Sequence, residues 1–375
     1  MSRRFLLAAL VVLVSVLVAG CGGGSKSSEK DEEGGSGGAK KKVTLQLKWV
    51  TQAQFAGYYA AKAKGYYDEE GLDVNLKVGG PSITPEQVVL GKQAEFGIDW
   101  LPSLLAARDT GQDLVNIAQV FGKSGMTELT WKDSNITSIS QMRGKKVGVW
   151  CCGNENELYA ALNKNGMDPK KDVTIVNQPF NMDLFLKRQV DAAAAMTYNE
   201  LAQVLETQNP KTGKLYQPSD LNVIKMNDVG TGMLEDDLFV RGDWIKDKDN
   251  QETAKKFLAA SFKGWIYCRD HVDECTQIVV KNGPTLGKGH QKWMMNEINA
   301  LIWPAPKGIG VMDKAAYQRT AKIAQDFGVI KKAPTADAYR TDLAQDAVDE
   351  VSAEGMDVNG EDYKKANVAV TPKGA

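Results

Sequence analysis

A two-lobed α/β architecture is what this sequence predicts, and three observations lead to it. Short apolar or alternating stretches take turns with helical ones, the grammar of sheets built from βα units. One such unit, strand, open loop, helix, glycine and strand, occurs at residues 41–76 and again at 145–176, as a repeat of design rather than of residues. Roughly 330 residues follow the first 42, more than one ordinary hydrophobic core organises. Each lobe is expected to be a mixed sheet flanked by helices.

The chain opens with an address. Arg3 and Arg4 precede an apolar run, residues 5–18, broken only by Ser15, and Ala19-Gly20-Cys21 follows. A basic start, a short apolar core and small residues before a cleavage point form an export signal. A cysteine after Ala-Gly is the bacterial lipoprotein pattern, so residues 1–20 are expected to be removed and Cys21 lipidated. The run is shorter than a spanning helix requires. Residues 21–42, rich in Gly, Ser, Lys and Glu, read as a flexible tether. The expected location is the outer, extracytoplasmic face of the cell membrane, held by lipid.

In the first unit, Val43, Leu45, Leu47 and Trp49 alternate with Thr44, Gln46 and Lys48, the period of a strand. A helix follows from about Gln54, Gly65 stops it, and residues 72–76 return as a strand. A short helix at 84–90, a strand at 95–98, a helix at 104–108 and a strand at 114–121 continue the lobe. Residues 127–133, polar around Trp131, are expected to cross to the second lobe. There a strand at 145–150, a loop at 151–154, a helix at 155–162 and strands at 173–176, 190–195 and 221–226 follow. Residues 228–238, with Gly230 and Gly232, are the expected return. Lobe 1 is thus residues 43–130 and 236–335, and lobe 2 residues 131–235. Helices are expected at about 253–268, from Asp270, and at 291–301, 314–327 and 336–351. A loose tail completes the C-terminal segment, 336–375.

Function is expected at the carboxyl ends of the strands, where open α/β sheets hold ligands. Trp49, Gln52, Gln54, Asp99 and Trp100 stand there in the first lobe, and Trp150, Asn154, Glu155, Tyr198 and Asn199 in the second. Aromatic walls with a few uncharged polar groups suit a flat, neutral heterocycle better than a phosphate or a metal. Asn154 could equally serve only to cap its helix, and any single tryptophan could be a core plug. Enzyme readings find little support. Two histidines are present, His271 and His290, without HExxH, GxSxG, GxGxxG at a strand exit or zinc-type spacing. No catalytic residue, metal or cofactor is expected. A formal charge of -1, a mean hydropathy of -0.33 and no basic face give no footprint for nucleic acid.

The strand ending Leu47-Lys48-Trp49, the continuation AQFAGYYAAKAKGYYDEEGLDV and the later AEFGIDW resemble the thiamine-pyrimidine-precursor family of solute-binding proteins, nearest its riboflavin-uptake branch. The resemblance spans residues 43–329. It implies a type II periplasmic-binding-protein fold, an ATP-driven ABC permease as partner and a monomer that closes on a small heteroaromatic vitamin. It implies ligand contacts at the strand-exit residues above and at Tyr58. Pyrimidine binders of the family carry an Asp-Trp pair and then an Asn and a His. Here Lys48-Trp49 and glutamines stand instead, which favours an uncharged, wider ring such as riboflavin, with a thiamine pyrimidine precursor as the alternative. A nitrate- or sulfonate-type ligand would want a basic pocket group, and a surface lipoprotein without transport is the reading from another class. A fungal relative makes the thiamine pyrimidine using a histidine and a cysteine-rich motif. Cys151-Cys152 is shorter than that motif, and the histidine slot holds Thr51, Gln52 and Gln54.

Outside the reducing cytoplasm disulfides persist. Cys268 and Cys275 would lie about 10 Å apart along one straight helix, too far to bond. A corner at Arg269-Asp270-His271 would bring them together, and a Cys268–Cys275 bond is expected. Cys151 and Cys152 are expected to be small loop fillers, a strained vicinal bridge being the alternative.

Overall fold

The structure is a computed structural model that describes residues 39–151 and 153–375. The export signal, most of the tether, Cys21 and Cys152 lie outside the described residues. The tether ends sooner than expected, because Lys41 already pairs with Leu72 in the first sheet.

Among the described residues, ten strands form two five-stranded sheets. The first contains β1 (Lys41–Gln46), β2 (Leu72–Lys77), β3 (Phe96–Asp99), β4 (Leu114–Gln119) and β10 (Asp237–Arg241), in the order β2-β1-β3-β10-β4. The second contains β5 (Met126–Trp131), β6 (Lys146–Val149), β7 (Thr174–Asn177), β8 (Ala192–Met196) and β9 (Leu221–Lys225), in the order β7-β6-β8-β5-β9. The two orders have one design. In each, three parallel strands lead and one antiparallel strand, β10 or β5, is inserted next to the last. Helices flank both sheets, giving the two-lobed periplasmic-binding-protein architecture.

The inserted strands correct the expected crossings. Residues 126–131 do not cross between sheets; they are β5, bonded on both sides within the second sheet. The chain passes over earlier, in residues 120–125, and returns in 226–236. Polar composition hid β5. Thr127, Glu128 and Thr130 are fully buried, and the two threonines satisfy themselves on the carbonyls of Ala195 (2.8 Å) and Ile136 (2.5 Å). Among the described residues the Glu128 carboxyl oxygens have no hydrogen-bond partner, and burial pushes that carboxyl well above the usual range. The two crossings are tied together. Glu235 accepts from Ser124 Oγ (2.9 Å) and from the backbone N–H of Gly125 (2.8 Å) and Met126 (3.2 Å).

β1 also stops before its expected end, at Gln46. Beyond it the backbone bends against the glycine pair after β2, with Gly79 N–H donating to Trp49 O (3.0 Å) and Gly80 N–H to Lys48 O (3.2 Å). A Cβ at Gly79 would overlap the carbonyls of Leu47 and Lys48, so this approach needs glycine. The bend turns Trp49 from a strand residue into a loop residue.

In the C-terminal part, helix Lys248–Asp270 ends at a corner at His271, and helix Val272–Asn282 starts anew. His271, rather than Asp270, is the residue between them. The corner places the Cα atoms of Cys268 and Cys275 5.2 Å apart, joined by a disulfide. Cys151 is also disulfide-bonded, which departs from its expected role as a free filler. The last helix runs Asp342–Ala353, later than expected. The segment beyond it is not loose. Asn296 holds Ala366 at both ends of its amide (2.9 and 3.0 Å), and Lys373 N–H donates to Glu206 O (3.0 Å).

Helix Ala56–Lys64 lies against helix Lys248–Asp270 with glycine on both surfaces. A Cβ at Gly57 would enter the Trp265 ring, and one at Gly264 would strike Gly57 O. Gly264→Ala should therefore destabilise the fold by about 1–3 kcal/mol through overpacking. Urea unfolding measures this, and an unchanged midpoint would show that the helices separate at no cost.

Candidate functional site

The strand exits of the two sheets face each other across a small cavity. Lys48, Trp49, Gln52 and Gln54 reach it from the loop after β1, and Trp100 from the exit of β3. Trp150 and Asn154 come from the loop after β6, and Met196, Tyr198, Asn199 and Glu200 from the exit of β8. Eight residues singled out in the sequence meet here: Trp49, Gln52, Gln54, Trp100, Trp150, Asn154, Tyr198 and Asn199.

Three do not line it. Tyr58 is core, stacked on Phe257 at 6.5 Å and edge-on to Trp265 at 5.7 Å. Asp99 lies beneath the wall, paired with Lys48 and accepting from the Trp100 N–H (2.6 Å). Glu155 closes its own loop by accepting from Gly153 N–H (2.9 Å). Sequence reasoning missed Lys48, Met196 and Glu200. Lys48 was read as the outward side of a strand. Glu200 stood in view at the end of Met196-Thr197-Tyr198-Asn199-Glu200, but an acid at a helix start reads first as a cap.

Trp49 and Trp150 touch edge to face across the cavity, centroids 6.3 Å apart at 71°. Trp150 is fixed by its indole N–H on Pro179 O (3.1 Å). Trp100 is fixed likewise on Asp236 Oδ1 (3.1 Å), with the Lys48 ammonium 4.8 Å from its ring centre.

A directed chain of hydrogen bonds crosses the cleft. His290 Nε2 lies 2.9 Å from Asn199 Oδ1. Asn199 Nδ2 donates to Gln52 Oε1 (3.4 Å) and to Glu200 Oε1 (2.8 Å). Gln52 Nε2 donates to Gln54 Oε1 (2.7 Å), and Gln54 Nε2 donates to both oxygens of Asp236 (3.0 and 2.9 Å). Asp236 belongs to the returning crossing and holds φ at +38°, a conformation other side chains rarely adopt.

Burial raises several carboxyls of the site above the usual range. Burial pushes Asp236 up to about 7, against the opposing bond from Gln54. Burial likewise raises Asp237 and Glu86 well above the usual range, and Glu200 to about 7. Lys48 is paired with Asp99 among carboxyls that burial raises. Among the described residues no group of His, Cys, Asp and Glu is arranged to hold a metal.

Residues 52–275, more than half of the chain, match the NMT1/THI5-like family. The chain belongs to this family. It is 24% identical over 314 residues to a Haemophilus influenzae protein named for thiamine biosynthesis, covering 80% of this chain and 92% of that one. It is 23% identical over 305 residues to the riboflavin-binding protein RibY of Chloroflexus aurantiacus, covering 77% and 82%. Over 230 residues it is 26% identical to the 4-amino-5-hydroxymethyl-2-methylpyrimidine phosphate synthase THI11 of Saccharomyces cerevisiae, covering 60% and 66%. In fold it is similar to the periplasmic nitrate-binding protein NrtA of Synechocystis PCC 6803, with a TM-score of 0.62 at 15% identity, covering 86% and 92%.

The cleft acids give stability a pH dependence. Folded Glu200 keeps its proton to about pH 7, whereas the unfolded chain releases it near the ordinary 4.5. Folding takes up a proton between these values, so stability falls as pH rises through that window. Glu200→Gln removes the titration. It should exceed wild type by up to about 3 kcal/mol at pH 8 and by nothing at pH 4. Urea unfolding at both pH values measures the difference, and a constant offset would contradict the assignment.

Proposed function

We propose that this family member, an ABC-importer-type solute-binding protein, carries a thiamine precursor bearing a single aminopyrimidine ring. It is a binding protein rather than an enzyme. The observation that carries the ligand reading is the size of the inner cavity. The space between its walls is about 290 Å³ with the open mouth included, small for a ligand site, and Trp49 and Trp150 meet across it. One flat ring is the ligand that needs the smallest opening of the Trp49–Trp150 contact to lie between the indoles. An aminopyrimidine presents a ring nitrogen beside an exocyclic amine. The Glu200 carboxyl, protonated below about pH 7, would donate to the first and accept from the second. The relation to the Haemophilus protein points the same way.

Riboflavin is the second reading, favoured by the relation to RibY and by the three tryptophans. Its three fused rings would require the Trp49–Trp150 contact to open wider than a single ring does. An anion such as nitrate finds less here, because the one lysine in the wall is already matched by Asp99. The export signal and Cys21 support a lipid anchor on the extracytoplasmic face, and family membership supports a permease as partner. We take the working unit to be a monomer whose lobes, residues 43–125 with 236–335 and residues 126–235, close on the solute.

Calorimetric titration of the purified protein with 4-amino-5-hydroxymethyl-2-methylpyrimidine and with riboflavin tests the reading. The pyrimidine should bind the more tightly, and Trp49→Ala or Trp100→Ala should each weaken it by about 1–3 kcal/mol. Tighter binding of riboflavin would overturn the pyrimidine assignment. Equal affinity in both tryptophan variants would overturn the site.

A further inference from the structure

A second, larger cavity opens directly outside the first, about 1200 Å³ including the space at its mouth. Trp49, Gln52 and Asn199 line both cavities, so these residues form the threshold between them. Three large apolar side chains are exposed among the described residues, Val78 (48%), Ile83 (40%) and Phe180 (56%). Two of them, Val78 and Phe180, line this outer cavity.

They stand beyond the ends of corresponding strands. Val78 directly follows β2, the second strand of its unit, and Phe180 lies three residues beyond β7, the second strand of the other unit. The two lips of the cleft thus each carry one exposed apolar group. Phe180 is also mechanically linked to the ring pocket. Its neighbour Pro179 accepts the Trp150 indole N–H, and its own carbonyl accepts from Gln203 Nε2 (3.4 Å). Exposing apolar surface costs free energy unless something covers it. A ligand part leaving the inner pocket through the threshold would do so.

The electrostatics narrow the class of group. Glu206 and His290 on the outer wall already hold each other at 2.9 Å. His290 turns its other nitrogen to Asn199. Lys373 is the remaining charged residue of this wall.

We infer that this outer cavity is a second subsite, taking a neutral, largely apolar substituent carried by the ring in the inner pocket. The inference rests on the inner pocket holding an aminopyrimidine ring. On this account the protein selects ligands in two parts: the inner pocket reads the ring by its polar edge, and the outer subsite reads the substituent by apolar contact with Val78 and Phe180.

Three probes separate the parts: 4-amino-5-hydroxymethyl-2-methylpyrimidine, its analogue with benzyl in place of the hydroxymethyl group, and its phosphate monoester. Calorimetry on the wild type and on Phe180→Ser and Val78→Ser reads them. Both positions are exposed, so both variants should fold, which circular dichroism checks. The benzyl analogue should bind the wild type about fivefold more tightly than the hydroxymethyl parent. Phe180→Ser should abolish that advantage and leave the parent's affinity unchanged. An advantage that survives both substitutions, or a gain for the phosphate ester with none for benzyl, would overturn the subsite while leaving the ring pocket standing. Failure of all three probes to bind would instead overturn the ring reading, and the subsite with it.

Discussion

The buried ion pair between Lys48 and Asp99 is the interaction on which the rest of the cleft depends. Each partner immediately precedes a tryptophan of the wall, so one contact fixes the exits of β1 and β3 and places Trp49 and Trp100 together. Taking two charges out of water is costly, and a buried pair is weak evidence for stability in itself. Its value here is positional. Lys48 also lies over the Trp100 ring, and Asp99 accepts the Trp100 N–H. Removing either partner would leave a charge stranded among Asp236, Asp237 and Glu86, whose neutrality already depends on burial.

From that fixed wall the polar chain runs outward. Asp236 anchors Gln54, Gln54 orients Gln52, and Gln52 meets Asn199 from the other sheet. Asp236 sits in the returning crossing, and Asn199 follows β8 of the second sheet. A ligand that inserts between Gln52 and Asn199 would therefore reach the returning crossing through this chain. The neighbouring contact of Glu235 with residues 124–126 keeps the two crossings together.

Much of the fold was legible because periodicity and punctuation agree. The βα units at residues 41–76 and 145–176 could be read from alternation, helix spacing and Gly65 and Gly166. The Cys268–Cys275 corner could be read from geometry, since a straight helix forbids the bond that export favours. What stayed hidden was the inserted strand β5. Its Thr127, Glu128 and Thr130 are polar yet fully buried; the two threonines donate to the carbonyls of Ala195 and Ile136, remote in sequence or beyond the strand, and burial raises the Glu128 carboxyl. The site was legible to the extent that strand exits carry ligands. Tyr58 and Glu155 lay near those exits in sequence but turn elsewhere, Tyr58 into the aromatic core and Glu155 back onto its own loop. Lys48 was missed because the bend after Gln46, imposed by Gly79 and Gly80, reverses the facing that strand alternation assigns.

The central claim is that one flat ring sits between the tryptophans of two lobes while the Lys48–Asp99 pair stays intact beneath it. A crystal structure of the protein with 4-amino-5-hydroxymethyl-2-methylpyrimidine tests this most directly. The account predicts the ring in contact with Trp49 and Trp150, its amine edge on Glu200, and Lys48 still bonded to Asp99. A ring lodged outside Trp49, or Lys48 turned away from Asp99 to hold the ligand, would contradict it.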